Sequence, residues 1–132
     1  MTTLDRGIGL DKAATVIDFT SYDCEDDPTI HVVDLEGNLD GETVEYFSQC
    51  VMSIIDEGRT KLIINCVKLE YISSLGLAML MRVHSRMKKH GGDVRVARLA
   101  GVVADALSIS GFDRILKMYP SVRDAVGSFQ AS

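Results

Sequence analysis

The stretch YISSLGL, residues 71–77, joins a short apolar run to a helical pattern. Upstream, KLIINCV (residues 61–67) has turn residues on both sides, which is typical of a strand covered on both faces of a sheet. Downstream, the chain is apolar from residue 75 to 81 and polar from 82 to 90, and Gly91-Gly92 then ends the helix. The stretch therefore predicts a strand-turn-helix unit with two serines at the turn.

The segments before this unit predict a hairpin and a helix. Residues 14–22 alternate between apolar and polar, and residues 29–35 form a second strand after an acidic turn. Asp40 is expected to cap the following helix, because its carboxylate can accept hydrogen bonds from the free N–H groups of the first turn. Five apolar residues recur at helical spacing after it: Val44, Phe47, Val51, Ile54 and Ile55.

The segments after the unit repeat the alternation of strand and helix. Residues 94–99 predict a strand, 101–110 a short helix, 115–119 a last strand and 121–126 a terminal helix. Within the short helix, Val102 and Val103 are both expected to face inward. Strands that alternate with helices after an opening hairpin indicate an α/β layer fold with a mixed sheet. We expect residues 1–13 to be a flexible arm and residues 14–132 to be one domain.

Composition and charge argue against several classes of function. The 132-residue chain has a formal net charge of −5, which does not favour binding to nucleic acid. The basic group Arg82, Arg86, Lys88 and Lys89 is interpreted as a solvated helix end, with a partner-facing patch as the alternative. No apolar run is long enough to span a membrane, and the polar N-terminus does not resemble a signal peptide, so we expect a cytoplasmic protein.

The chain also lacks the usual catalytic and metal-binding motifs. No glycine-rich phosphate loop follows a strand, and the three histidines do not share metal-ligand spacing, so no cofactor or metal is expected. Serine is among the preferred helix caps, so one of Ser73 and Ser74 is expected to cap the helix while the other fills the turn. Gly76, which is poor for helix propensity, suggests that another backbone or a partner comes close there.

The segment from about residue 15 to 126 resembles the STAS family, named for sulfate transporters and anti-sigma factor antagonists. Gly37-Asn38-Leu39-Asp40 is similar to a motif after that family's second strand, and residues 71–77 are similar to its phosphorylation motif. The resemblance implies a mixed sheet of four to five strands with about four helices, packed mainly on one face. Two positions depart from the family pattern, with Ser73 and Asn65 in place of acidic residues.

The resemblance also implies a function. Free-standing members of the family are anti-sigma factor antagonists, which are not enzymes: they bind an anti-sigma factor, often a serine kinase, and so release a sigma factor. Phosphorylation would fall on Ser74 and break the complex, and a serine phosphatase would reset it. The implied partner surface comprises Asp40, Ser73, Ser74, Leu75 and Gly76. The alternative is a non-switching STAS scaffold, in a stressosome-like assembly or as an accessory of a lipid transporter, and an enzyme or small-ligand binder would need a pocket with converging polar groups.

Overall fold

A computed structural model describes residues 17–131. The described chain forms a mixed sheet flanked by helices. The elements in chain order are β1 (Ile17–Asp23), β2 (Ile30–Leu39), α1 (Val44–Asp56), β3 (Lys61–Ile72), α2 (Ser74–Lys89), β4 (Asp93–Ala97), α3 (Gly101–Ser110), a 3₁₀ turn (Phe112–Arg114), β5 (Lys117–Tyr119) and α4 (Val122–Ala131). The predicted α/β fold and the order of its elements are confirmed. The predicted arm, residues 1–13, lies outside the described residues.

The five strands lie side by side in chain order, and their pairing positions the site. β1 runs antiparallel to β2, whereas β2, β3, β4 and β5 are parallel to one another. β4 pairs with the first half of β3 only, as far as the register Asn65↔Ala97. The second half of β3 continues along β2, through two register shifts, to the pair Leu39↔Ile72. β2 and β3 therefore end next to each other, and the segments that follow them share one corner.

The helices divide unequally between the two faces of the sheet. α1, α2 and α3 cover one face, where side chains such as Phe47, Leu80 and Leu107 join the main core. α4 packs on the other face, where Ala125 and Phe129 meet Ile63. Successive residues of β3 thus point to opposite cores: Leu62 and Ile64 join the main core and Ile63 joins the core under α4, which explains why residues 62–64 are all apolar. The prediction that most helices share one face is confirmed.

The prediction that Val102 and Val103 both face the core is wrong for Val102. Val103 and Leu107 of α3 are buried, but Val102 is 61% exposed. Residues 102 and 103 are adjacent on a helix and point about 100° apart, so the two valines do not share one buried face of α3. None of the helices within residues 17–131 combines the length and the apolar character needed to cross a lipid bilayer.

Candidate functional site

The turn between β2 and α1 is held by a buried threonine. Thr43 is only 2% exposed, and its hydroxyl donates to the backbone carbonyl of Asn38 at 2.7 Å. The same hydroxyl accepts from the backbone N–H of Asp40 at 3.0 Å. These two bonds join the end of β2 to the start of the helix, so the Asp40 corner has a fixed shape.

Asp40 does not cap α1 as the sequence suggested. The helix begins at Val44, and the residue at the cap position is Thr43. The Asp40 carboxylate instead accepts from the backbone N–H of Glu42 at 2.9 Å and stabilises the turn that precedes the helix. The prediction failed because an extra turn, closed by the Val44 N–H and the Asp40 carbonyl at 2.8 Å, separates Asp40 from the first helical residue. The carboxylate is half-buried and lies at the surface of the corner.

Ser73 is the serine that caps α2. Its extended backbone leaves β3, and its hydroxyl oxygen accepts from the backbone N–H of Gly76 at 3.2 Å. The Ser73 backbone N–H donates to the carbonyl of Leu39 at 2.9 Å. The helix start is therefore bonded to the end of β2 as well as to its own first turn. This assignment resolves which of the two serines has the structural role.

Gly76 is buried in the first turn of α2, where the neighbouring residues of this chain leave no room for a side chain. A Cβ atom at this position would overlap the Leu39 carbonyl oxygen and lie 2.8 Å from Cγ1 of Ile72, closer than such atoms can approach. The close backbone approach suggested by the sequence is thus made by Leu39 of this chain. Gly76 has no side chain and lies below the surface, so its place in the site is to let α2 start against the end of β2.

Ser74 and Leu75 point away from the core at the first turn of α2. Ser74 is exposed, and its hydroxyl has no hydrogen bond within the described residues. Leu75 is 59% exposed, and Gly41 of the neighbouring turn lies so close that a Cβ there would be 3.2 Å from the Cδ1 atom of Leu75. The Asp40 turn and the Ser74 turn therefore form one continuous surface, which we call the serine corner: residues 39–43 and 71–76.

The sequence did not predict that one residue of the serine corner, Tyr71, would be exposed on its surface. Tyr71 is 50% exposed and pairs across the strands with Asn38. Its neighbour Ile72 is buried, and adjacent residues of a strand point to opposite faces, so an inward-facing Ile72 was the signal that could have placed Tyr71 at the surface. An exposed tyrosine beside an exposed leucine gives the corner an apolar contact area.

Asn65 lies away from the serine corner. It sits seven residues before the end of β3, on the order of 20 Å along the strand. Its side-chain amide donates to the carboxylate of Asp34 at 2.9 Å. Of the two positions that depart from the family pattern, Asn65 therefore lies far from Ser74 along the strand, whereas Ser73 adjoins Ser74.

Two side chains elsewhere in the fold, Cys66 and Asp23, have a shifted pKa. Burial raises the pKa of the Cys66 thiol to about 12. Hydrogen bonds from His31 and Arg59 lower the pKa of the Asp23 carboxyl, on the opposite end of β1 and β2. Within residues 17–131 no group of three or more metal-binding side chains comes together.

The two serines are expected to differ in their effect on stability. Replacing Ser73 with alanine removes the cap of α2, and we expect a loss of about 1 kcal/mol in the free energy of unfolding. Replacing Ser74 with alanine removes no hydrogen bond to any of residues 17–131 and should change the free energy of unfolding by less than about 0.5 kcal/mol. Urea unfolding of the two variants, followed by circular dichroism, measures both values. Equal losses would contradict the assignment of Ser73 as the cap.

Comparison with known proteins supports the fold and the family. BtrV of Bordetella bronchiseptica, described as a candidate anti-sigma factor antagonist, is 24% identical over 98 residues, which cover 74% of this chain and 84% of BtrV. An anti-sigma factor antagonist from Mycobacterium paratuberculosis superposes with a TM-score of 0.76 at 22% identity, covering 85% of this chain and 92% of that one. The phosphorylated form of the Bacillus cell fate determinant SpoIIAA superposes with a TM-score of 0.66 at 18% identity, covering 85% of this chain and 99% of SpoIIAA.

The family model of the STAS domain matches residues 21–125. This range holds β2 to β5, the last three residues of β1, and both turns of the serine corner. The chain belongs to the STAS domain family.

Proposed function

We propose that this protein is an anti-sigma factor antagonist that acts by binding and not by catalysis. Its partner is an anti-sigma factor with serine kinase activity, and phosphorylation of Ser74 switches the binding off. The observation that carries the proposal is the exposed hydroxyl of Ser74, which has no hydrogen bond among residues 17–131 and lies beside the exposed Leu75 at a corner fixed by part-buried hydrogen bonds. The relatives named as anti-sigma factor antagonists support it.

Binding would depend on the apolar side chains of the corner, with the carboxylates of Asp40 and Glu42 at its edge. Leu75 and Tyr71 expose apolar area that a partner can bury. The turn beneath them is rigid, so little conformational entropy is lost when a partner docks. Asp40 is available to a cation of the partner because its carboxylate has one backbone contact, to Glu42, and a weak contact to Thr43.

The start of α2 would accept a phosphate without unfolding. Ser74 is the first residue of the helix, where the free backbone N–H groups and the positive end of the helix dipole favour a negative charge. The phosphoryl group adds about −1.5 to −2 charges at neutral pH. The fold would therefore tolerate the modification, while the partner would meet a bulky, hydrated charge in the middle of an apolar contact.

The test of binding replaces Leu75 with aspartate. We expect binding to the cognate anti-sigma factor to weaken at least tenfold, because a charge would be buried against the partner. Isothermal titration calorimetry against the candidate anti-sigma factors of the same organism measures the change. The matched control is Ile109→Asp, since Ile109 is 86% exposed on α3, outside the corner. Equal binding by both variants and the unmodified protein would overturn the proposed surface.

Replacing Asp40 with asparagine tests the negative charge of this side chain separately from its role in the turn before α1. Asparagine can still accept from the N–H of Glu42, so the turn is expected to persist. A cation of the partner would nevertheless lose its counter-charge. We expect two- to tenfold weaker binding that is less sensitive to added salt, whereas unchanged affinity would remove Asp40 from the partner surface.

A further inference from the structure

A groove between α1 and α2 lies apart from the serine corner. It encloses about 300 Å³. Six residues line it: Met52, Met81, Arg82, Ser85, Arg86 and Lys89. The two methionines are half-buried and pack on the main core, so they form the apolar part of the lining.

The polar side of the groove is basic. Arg82, Arg86 and Lys89 recur at positions i, i+4 and i+7 of α2, and so they share one face of the helix. Arg86 is engaged by the carboxylate of Asp56 at 3.1 Å. Arg82 and Lys89 are exposed and have no ion pair among residues 17–131. Two uncompensated cations thus flank the groove in a chain whose formal net charge is −5.

The charge and the shape of the groove indicate which kind of molecule would bind there. A groove between two helices, with two methionines as its apolar part, can receive one or two apolar side chains from one face of a third helix. Methionine side chains adapt to such partners because they are flexible and polarizable. The cations at the rim would pair with carboxylates on the flanks of that helix. The negative charge of the rest of the protein would repel a long polyanion such as nucleic acid.

We propose that the groove between α1 and α2 is a second docking surface, which binds an acidic amphipathic helix of a partner protein. The surface is separate from the proposed switch. Arg82 lies eight residues after Ser74 on the same helix, about 12 Å along its axis. That distance exceeds the Debye length of about 8 Å at physiological ionic strength, so a charge on Ser74 is screened from the groove.

The first test uses a designed peptide as the probe. The probe is a fluorescein-labelled 18-residue helix with leucine on one face and glutamate on the other, and its affinity is measured by fluorescence anisotropy in 0.15 M salt. We expect micromolar binding, at least tenfold tighter than that of polyglutamate of equal length. The same peptide with lysine in place of glutamate should not bind. Ser74→Asp should leave the affinity unchanged, whatever the outcome for the proposed function.

Variants of the protein test whether the peptide binds in the groove between α1 and α2. Arg82→Glu with Lys89→Glu should weaken peptide binding at least tenfold, while circular dichroism shows a retained fold. Arg114→Glu with Arg123→Glu is the control, because it makes the same change in net charge at two exposed residues outside the groove. Equal weakening in both double variants would overturn the proposal. So would equal binding of polyglutamate, or tighter binding of an oligonucleotide or of phosphatidylglycerol vesicles.

Discussion

Replacing Gly76 with alanine is expected to lower the free energy of unfolding by about 3 kcal/mol. The added methyl group would meet the Leu39 carbonyl oxygen and the Ile72 side chain. The carbonyl belongs to the backbone and also accepts from the Ser73 N–H, so it cannot move without breaking the bond that joins the two turns. Urea unfolding measures the loss, and the backbone amide signals of residues 39–43 should shift with it.

The control for this variant is another helical glycine with free space around it. An added Cβ at Gly127 of α4 would have no atom within 4 Å. Alanine there is expected to leave the stability unchanged or to raise it by up to about 1 kcal/mol, through its better helix propensity. If Gly76→Ala were as stable as Gly127→Ala, the close contact between α2 and the end of β2 would be refuted.

Replacing Ser74 with aspartate is expected to weaken binding of the anti-sigma factor about 100-fold or more. A factor of 100 corresponds to about 2.7 kcal/mol, a reasonable cost for placing a charge in an apolar contact. Stability should change little, because an acidic residue is favourable in the first turn of a helix. Calorimetric titration and urea unfolding of the same preparation separate the two effects.

Ser74→Ala is the matched control for this substitution. It removes the hydroxyl without adding charge or bulk, so it should bind like the unmodified protein. If aspartate and alanine at position 74 bound equally well, a charge at this residue would not control the partner. The protein would then fit the scaffold role better than the switch.

The order of strands and helices could be predicted because each element has a clear local signal. The apolar run of residues 61–67 identifies the central strand, and the glycines after α1, α2 and α3 mark the ends of those helices. The second half of β3 was harder to predict. Residues 68–71 are mostly polar or exposed, since β4 has ended and only β2 pairs with this part of the strand.

The sequence could predict which residues form the serine corner, but it could not predict which of them caps the helix and which is exposed. The sequence brought Asp40, Ser73, Ser74, Leu75 and Gly76 to attention. Both serines have the chemistry of a cap, and only the backbone shows that the extended residue is Ser73. The burial of Gly76 depends on Leu39, which lies 37 residues earlier and reaches it through strand pairing. Contacts of this kind leave no local signal in the sequence.

Phosphorylation of Ser74 by an anti-sigma kinase is the most direct test of the proposed function. The purified protein would be incubated with ATP and each candidate kinase of the same organism, and the site would be identified by mass spectrometry. The Ser73→Ala and Ser74→Ala variants would be run in parallel. The proposed function predicts one phosphate on Ser74, which Ser74→Ala abolishes and Ser73→Ala retains. No phosphate from any candidate kinase on the folded protein, or phosphate on Ser73, would contradict it.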